Sequence, residues 1–347
     1  MQTSTDIAPD RSGRGIARAY YGEVVRPLLE DALPGLAHAA GRLGSGSDVL
    51  GFDDAQSRDH DFGLRLTLLV EDGRAAEVDD LLAARLPEAW QGLPVRFATT
   101  WDPQVRHRCE VASARDFAVS RLGLDPTGPM TASDWRTLTG QAVLEVVAGP
   151  VFHDGTGEIT AIRELLSGYP RDVRLHALAS GWDRLRQEFP DVGRAGLRGD
   201  EDGSAVLAAR HVRTMMHMAH LIHRRWAPYG KWLARSAAAL PSGQELRGCW
   251  MQVLRARGWQ ERQGALAEAA ELLAAAQAGA GLPVLLPATE PFFDRPHVGV
   301  REIPEALVAA IEDPELRALG SRAGTAEQMS DSVSLLVDPA ARRRLIG

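Results

Sequence analysis

The stretch of sequence that decides the fold is GSGSDVLGFDDAQSRDHDFGLRLTLLV, residues 44–70. It opens with a turn of small residues, Gly44 to Ser47, and closes with an apolar run that ends at Val70. Within that run Leu69 is apolar and so is every second residue, namely Leu64, Leu66, Leu68 and Val70. This pattern predicts a mostly buried β-strand downstream of a tight turn.

Two aspartates, Asp59 and Asp61, stand just before the apolar run. Successive side chains of a strand point to opposite faces, so the two carboxylates are expected to share one face while His60 points away. Like charges this close repel one another unless a cation or a proton intervenes, and carboxylate oxygens suit Mg²⁺. The backbone N–H groups of the turn at Gly44 to Ser47 can donate to a phosphate. Phosphate donors beside a metal-binding carboxylate pair favour nucleotidyl transfer, which uses two metals to activate the attacking oxygen and stabilise pyrophosphate.

The same residues carry a resemblance to known proteins. Gly44-Ser45 followed by Ser57-Arg58-Asp59-His60-Asp61 resembles the glycine-serine and Asp-x-Asp signature of the DNA polymerase beta-like nucleotidyltransferase superfamily, which includes kanamycin nucleotidyltransferase. The chain departs from the commoner Ser-Asp-x-Asp form, because Arg58 stands between the serine and the first aspartate.

A bacterial branch, the family called domain of unknown function 4037, is a closer match. The resemblance rests on the motifs above together with Gly51-Phe52-Asp53 and Tyr229-Gly230-Lys231-Trp232, and it runs from about Ala19 to Leu240. It implies a nucleotidyltransferase fold, nucleoside triphosphate as substrate with ATP favoured, and two Mg²⁺ ions. It further implies that the triphosphate is held by Gly44, Ser45, Gly46 and Ser47.

Composition and charge limit the class of protein. The chain has 347 residues, of which 45% are hydrophobic and 24% charged, as in an ordinary globular protein of one or two domains. A net charge of −7 argues against binding to long nucleic acid, although a local basic patch stays open. Cys109 and Cys249 lie far apart and no secretory leader is visible, so a cytoplasmic protein with reduced thiols is expected. No apolar run approaches the length of a membrane span.

The pattern along the chain predicts an α+β fold. An N-terminal nucleotidyltransferase-like mixed sheet with flanking helices is followed by a C-terminal helical bundle. The predicted divisions are a disordered lead, a nucleotidyltransferase-like domain, a connecting helix and hairpin, and a helical domain, at residues 1–13, 14–125, 126–170 and 171–347. Helices are predicted at residues 16–40 and 75–86, strands at 95–100 and 108–112, and a hairpin at 151–160 with Asp154-Gly155 in its turn.

Further candidate site residues are charged side chains that lie in an apolar strand or within the motif itself. Glu110 lies in a short apolar strand and is predicted to be the third metal ligand or a general base, the alternative being a charge on an edge strand that faces solvent. Arg58 either neutralises phosphate or pairs with one of the nearby acids. Asp48, Asp53 and Asp54 are predicted to be solvated turn residues, and the alternatives are that one of them orients Arg58 or holds a water near the metal ligands.

A second basic and aromatic segment lies near residue 230. Tyr229 and Lys231 follow Arg224, Arg225 and Trp226, so that this segment could bind a triphosphate and stack on a base. The alternative is a packing cluster of aromatic rings with a solvated lysine. Three histidines on the preceding helix fan over more than one face and are expected to line a cleft or to pack rather than to bind one metal: His217, His220 and His223.

The sequence therefore predicts a Mg²⁺-dependent nucleotidyltransferase. Its metal ligands are Asp59, Asp61 and Glu110, and its acceptor is a small hydroxylated molecule or a protein side chain. Two alternatives stay open: a non-catalytic nucleotide-binding or regulatory module that keeps the fold, and a helical interaction protein in which the motif is accidental.

Overall fold

The computed structural model describes residues 12–54 and 63–347. Residues 1–11, which belong to the predicted disordered lead, lie outside the described residues. Among the described residues, every helix falls short of the length and apolar character that a membrane span requires.

The helices and strands follow one another in a mixed order in the first half of the chain and are mostly helical in the second. In the first half they are α1 Gly13–Tyr20, a π-helical turn Tyr21–Val25, α2 Arg26–Ala32, β1 His38–Gly41, α3 Ser47–Leu50, β2 Arg65–Val70, α4 Ala75–Arg85, β3 Ala89–Trp90, β4 Leu93–Pro94, β5 Arg96–Thr99, β6 Asp102–Ala112, α5 Ala114–Leu122, α6 Ala132–Thr137, α7 Gly140–Val147, β7 Val151–Asp154 and α8 Glu158–Leu165. In the second half they are α9 Arg171–Gly196, α10 Glu201–Ile222, α11 Gly230–Ala238, α12 Gly243–Arg255, α13 Trp259–Gly279, β8 Thr289–Pro291, β9 Val298–Val300, α14 Ile303–Ala309, α15 Pro314–Leu319, α16 Ala326–Met329, α17 Val333–Val337 and α18 Pro339–Ile346.

The chain forms two compact units and belongs to the α+β class. The described part of unit 1 is residues 12–54, 63–129 and 142–166, and unit 2 is residues 130–141 and 167–347. Unit 1 contains the mixed sheet and unit 2 is predominantly helical. The predicted fold class is thereby confirmed.

Unit 1 is organised by a five-stranded sheet in the order β5-β6-β2-β1-β7. The central pair, β2 and β6, is parallel, and the other neighbours are antiparallel, which makes the sheet mixed. In the parallel pair Thr67 lies opposite Glu110 and Leu66 lies opposite Cys109. Because side chains alternate along a strand, the first of these pairs faces one side of the sheet and the second faces the other.

The core of unit 1 lies on the side of the sheet that carries the alternating leucines. Leu64, Leu66, Leu68 and Val70 are each at most 2% exposed and pack in one cluster with Tyr20, Val78 and Cys109. The predicted buried strand is confirmed, and so is the helix after it, since α4 ends at Arg85. The opposite side of β2 and β6 carries the polar residues Arg65, Thr67 and Glu110 as well as the buried Leu69, and Arg65 contacts the glycine-serine turn there.

One predicted helix is too long. The helical pattern from residue 16 was expected to continue to Ala40, whereas α2 ends at Ala32 and His38–Gly41 forms strand β1. The residue before a proline is disfavoured in helical conformation, and Leu33 precedes Pro34 at this point. The strand itself was missed because its four small or polar residues have weak strand propensity, and burial between β2 and β7 overrides propensity.

The predicted hairpin at residues 151–160 is wrong. Strand β7 pairs with β1, and the chain then enters α8 directly. Asp154 caps the first turn of that helix by accepting hydrogen bonds from the amides of Gly157 and Thr160 at 2.9 and 3.2 Å. The Asp-Gly signal therefore marks a helix start here, because an aspartate side chain can satisfy the orphan N–H groups of a first turn.

Unit 2 is built around three long helices. α9 packs against α10, α13 and α14, and α12 packs against α13. The unit also holds a two-stranded hairpin of β8 and β9, which the sequence pattern did not predict.

Candidate functional site

The glycine-serine turn joins β1 to α3 in unit 1. Gly44 and Gly46 have φ angles of +82° and +141°. Residues that carry a Cβ atom rarely adopt such positive φ angles. The amide N–H of Gly44 donates to the carbonyl oxygen of Glu145 at 2.8 Å. Within the described residues, the amide N–H groups of Ser45, Gly46 and Ser47 have no protein acceptor. Three of the four predicted phosphate donors are therefore available to a ligand.

A buried arginine, Arg42, holds this turn in shape. Its guanidinium is paired with Asp48 by two contacts, from Nε to Oδ2 at 2.7 Å and from Nη2 to Oδ1 at 2.9 Å. It also donates to the carbonyl oxygens of Leu43 and Ser45, at 2.6 and 2.9 Å. The arginine thus fixes both ends of the turn through backbone acceptors.

Gly46 is required by this arrangement. A Cβ atom at this position would lie 2.2 Å from Oδ1 of Asp48 and 2.7 Å from Nη2 of Arg42. No side chain fits without displacing the ion pair. The small residues of the motif therefore have a packing role as well as a conformational one.

Asp48 and Asp53 have protein partners, contrary to the prediction that they are solvated turn residues. Asp48 is paired with Arg42, and Asp53 accepts a hydrogen bond from the amide of Gly13 at 3.0 Å. Both residues were expected to face water because they lie among turn-forming residues. Tertiary contacts with the preceding strand and helix supply the partners instead.

Glu110 lies beside the turn, as its proposed role requires. A Cβ atom on Gly44 would be 3.8 Å from Oε2 of Glu110 and 3.5 Å from Nη2 of Arg121. Nη2 of Arg121 contacts both carboxylate oxygens of Glu110, at 2.5 and 2.7 Å, and its Nε lies 3.2 Å from Glu145. The Glu110 side chain is 44% exposed. It can reach a ligand from this position, and it can coordinate a cation once Arg121 has turned away.

A second arginine, Arg65, approaches the turn from the first residue of β2. Its Nη2 lies 3.3 Å from Oγ of Ser45. Its guanidinium carbon also lies 5.0 Å from the centre of the Trp101 ring. A cation is therefore present at the serine of the turn, where a triphosphate would need one.

The predicted aspartates fall outside the described residues. Asp59 and Asp61 lie in segment 55–62, together with Ser57 and Arg58, between the loop at Asp54 and strand β2. Among the residues that the structure does describe, no group of three or more histidine, cysteine, aspartate or glutamate side chains is arranged to hold a metal ion.

Tyr229 and Lys231 belong to unit 2. Tyr229 is 44% exposed, and its amide lies 3.4 Å from the side-chain oxygen of Gln141. The Lys231 ammonium lies 5.0 Å from the ring centre of the buried Trp232. The aromatic packing alternative holds for Trp232, while the ends of Tyr229 and Lys231 stay open to solvent.

The three histidines of α10 have separate surroundings. His220 forms hydrogen bonds with the carbonyl oxygen of Met216 and with Oγ of Ser236. Nε2 of His223 lies 2.9 Å from Oγ of Ser242. His217 lines a small cavity, and its Nε2 is buried without a partner among the described residues. Burial lowers the pKa of His217 to about 3.

The same cavity in unit 2 holds a carboxyl group. Glu327 accepts a hydrogen bond from the amide of Gly140 at 3.0 Å. Burial raises its pKa to about 7, and the hydrogen bond from Gly140 opposes that rise.

Several residues around the turn were missed by the sequence. Arg65 had a usable signal, because an arginine that alternates with buried leucines must face the other side of the strand. The remaining ones had no local signal, since they reach the turn from distant or buried positions: Arg42, Trp101, Arg121 and Glu145.

Comparison with known proteins finds a family model that matches part of this chain. Residues 135–233 match the family model described as "Domain of unknown function (DUF4037)", which confirms the family recognised in the sequence. The matched segment includes Tyr229 and Lys231 and leaves out residues 44–61.

The chain is also similar to a crystal structure described as a nucleotidyltransferase-like protein from Exiguobacterium sibiricum 255-15. The two chains are 13% identical, and the match covers 77% of this chain and 78% of the other. The TM-score of 0.34 is too low to establish a common fold. No curated protein matches the chain.

Proposed function

We propose that the protein is a Mg²⁺-dependent nucleotidyltransferase that moves an NMP group from a nucleoside triphosphate, with ATP favoured, to an acceptor and releases pyrophosphate. One observation carries the proposal. The Gly44–Ser47 turn, in which three amides have no acceptor among the described residues, lies beside a cation at Arg65 and a carboxylate at Glu110. Phosphate donors, a cation and an acidic ligand at one place are what the transfer of a charged phosphoryl group requires.

The residues of the turn have distinct roles in this proposal. The amides of Ser45, Gly46 and Ser47 and the Arg65 guanidinium bind the triphosphate and neutralise part of its charge. The turn is already held by Arg42, so that its donors need little rearrangement when the nucleotide binds. In the same proposal, Arg58 adds a further contact to the nucleotide.

The acidic residues would hold the metal and receive a proton. Asp59, Asp61 and Glu110 would supply the oxygen ligands that Mg²⁺ prefers, and bound Mg²⁺ would supply positive charge for the phosphate and for the leaving pyrophosphate. The acceptor oxygen forms a bond to the α-phosphorus while the bond from that phosphorus to the bridging oxygen breaks. If no metal-bound base takes the proton of the acceptor hydroxyl, Glu110 takes it in this scheme, since it lies beside the turn.

The acceptor in this proposal is a small hydroxylated molecule, with a protein side chain as the second choice. The net charge of −7 disfavours long nucleic acid, which binds through the release of counterions from its phosphates.

A non-catalytic nucleotide-binding module is the second candidate, and one contact favours it. Both oxygens of Glu110 are held by Arg121, so that this carboxylate is not ready to act as a metal ligand or a base. A protein that binds nucleotide and never releases Glu110 from Arg121 would bind without turnover.

Calorimetric titration of ATP, GTP, CTP and UTP, with and without Mg²⁺, tests the site. We expect Mg²⁺-dependent binding that is lost in the double variant Asp59→Asn plus Asp61→Asn. The matched control is Asp72→Asn plus Asp80→Asn, which removes the same charge from two exposed positions of unit 1 and should leave binding unchanged. Absence of binding to all four triphosphates would refute both candidate functions.

A pyrophosphate-release assay over a panel of hydroxylated acceptors separates the two candidates. An enzyme should release pyrophosphate, and Glu110→Gln should keep nucleotide binding while reducing the turnover rate by about 10²-fold or more. A nucleotide-binding protein that releases no pyrophosphate with any acceptor would support the module.

A further inference from the structure

An exposed tryptophan lies against the arginine that contacts the glycine-serine turn. Trp101 lies at the tip of the hairpin formed by β5 and β6, and 57% of it is exposed to solvent. A large ring of this kind is normally buried, and an exposed one that is rimmed by charge is typical of a binding surface.

The hairpin tip is held in a defined position. Arg108 donates to the carboxylate of Asp102 at 2.6 Å, to the carbonyl oxygen of Asp102 at 3.0 Å and to that of Phe97 at 2.8 Å. The Arg108 side chain is 10% exposed. The loop that carries Trp101 is therefore braced from its own base, so that the ring is presented to solvent without a large entropy cost on binding.

Arg65 connects the ring with the turn. Its guanidinium lies 5.0 Å from the ring centre of Trp101, while its Nη2 lies 3.3 Å from Oγ of Ser45. The turn, the cation and the aromatic ring are thus consecutive neighbours on one side of unit 1. A nucleoside triphosphate has the matching order, with a charged chain separated from a flat ring by one sugar.

We propose that Trp101 is the platform on which the base of the bound nucleotide stacks, and that it gives the site a preference for purine over pyrimidine triphosphates. This inference rests on the proposed function, and it names the substrate class of the same site. A purine has the larger ring surface, and stacking on an aromatic side chain grows with the contact area. Stacking on the ring involves no hydrogen bond to the base, so Trp101 is expected to contribute equally to the binding of ATP and of GTP.

The test compares ligands with and without a base. Wild-type protein and the Trp101→Ala variant are titrated with Mg²⁺ and one of ATP, GTP, CTP or inorganic tripolyphosphate. We expect Trp101→Ala to weaken ATP and GTP binding by about tenfold or more and CTP binding by less. Tripolyphosphate affinity should stay unchanged, because this ligand has nothing to stack. Trp101→Phe should keep most of the purine affinity.

Two control variants separate the ring from its surroundings. Val105→Ala removes another exposed apolar side chain, 70% exposed, from the same strand β6, and it should bind all ligands as the wild type does. Arg65→Ala should weaken ATP and tripolyphosphate together, since it removes a contact to the charged chain. The thermal midpoint of each variant shows that the fold is kept.

The outcomes distinguish this inference from the proposed function. Unchanged ATP affinity in Trp101→Ala overturns the stacking platform while nucleotide binding stands. An equal loss for ATP and tripolyphosphate in Trp101→Ala also overturns it, because the ring would then act only through Arg65. Wild-type protein that binds neither ATP nor tripolyphosphate refutes the proposed function, and the platform with it.

Discussion

Replacement of Arg42 by alanine should destabilise unit 1 strongly. The Arg42 side chain is 3% exposed, and it is the partner of the Asp48 carboxylate and of the carbonyl oxygens of Leu43 and Ser45. Its removal leaves one charge and two backbone acceptors without their donor in a mostly buried place. Unpaired buried groups of this kind carry the full cost of lost solvation.

The magnitude depends on the exposure of the partner that is left behind. Breaking a buried ion pair from one side costs about 3–5 kcal/mol. The Asp48 side chain is 16% exposed, so that water can reach part of the stranded carboxylate. We therefore expect about 3 kcal/mol for Arg42→Ala, at the lower end of that range. With a urea m-value of about 2 kcal/mol/M, the unfolding midpoint of unit 1 falls by about 1.5 M.

The assay must read the two compact units separately, because a chain of this size need not unfold in one transition. Hydrogen exchange, followed by mass spectrometry in increasing urea, provides this through peptides from β2 and β6 on one side and from α9 and α10 on the other. The control is Arg26→Ala, which breaks the exposed pair of Arg26 with Glu30 in the same unit and should cost less than about 1 kcal/mol. Arg42→Lys should fall between the two, because an ammonium cannot reproduce the planar fork of a guanidinium.

Two results would refute this reasoning. A loss of less than about 1 kcal/mol in β2 and β6 for Arg42→Ala would mean that the ion pair contributes no more than an exposed one. An equal loss for Arg42→Ala and Arg26→Ala would mean that burial of the guanidinium is irrelevant.

The remaining predictions concern pH and glycine. Burial raises the pKa of Glu327 to about 7 from its ordinary value of 4.5, so the folded state holds this proton more tightly than the unfolded chain. Stability from that proton is present below pH 4.5 and is lost as pH rises through 7. Glu327→Gln should therefore gain in thermal midpoint relative to wild type between about pH 5 and 8, and a constant difference across that range would contradict the raised pKa. Gly248→Ala, on an exposed stretch of α12 where a Cβ meets nothing within 4 Å, should raise the free energy of unfolding by about 0.5–1 kcal/mol in a urea titration. Gly46→Ala should lower the free energy of unfolding by about 1–3 kcal/mol, because that position has φ +141° and a Cβ atom there would lie 2.2 Å from Oδ1 of Asp48. A change in the same direction for both glycine variants would be inconsistent with this contrast.

Short-range patterns predicted much of unit 1 correctly. The alternation from Leu64 to Val70 predicted β2 and its buried face, because a strand repeats every two residues wherever it lies in a sheet. The helical pattern failed at β1, where four small or polar residues are a strand only because their neighbours on both sides pair with them. The Asp-Gly signal at Asp154 failed for a related reason, since the same two residues can cap a helix or turn a hairpin, and the packing of the next segment decides between them.

The candidate site also has features that the local sequence predicts and features that only tertiary contacts determine. The sequence by itself identified the small-residue turn at Gly44 to Ser47 and singled out Glu110 as an acid in an apolar strand, because each is legible within a few residues. Tertiary structure alone decided that Glu110 lies beside that turn and that Arg121 binds its carboxylate. It also decided that the buried Arg42 donates hydrogen bonds to the backbone of the turn. Such contacts depend on the register of β2 against β6 and on how buried groups find partners, and both are settled by the packing of the whole sheet.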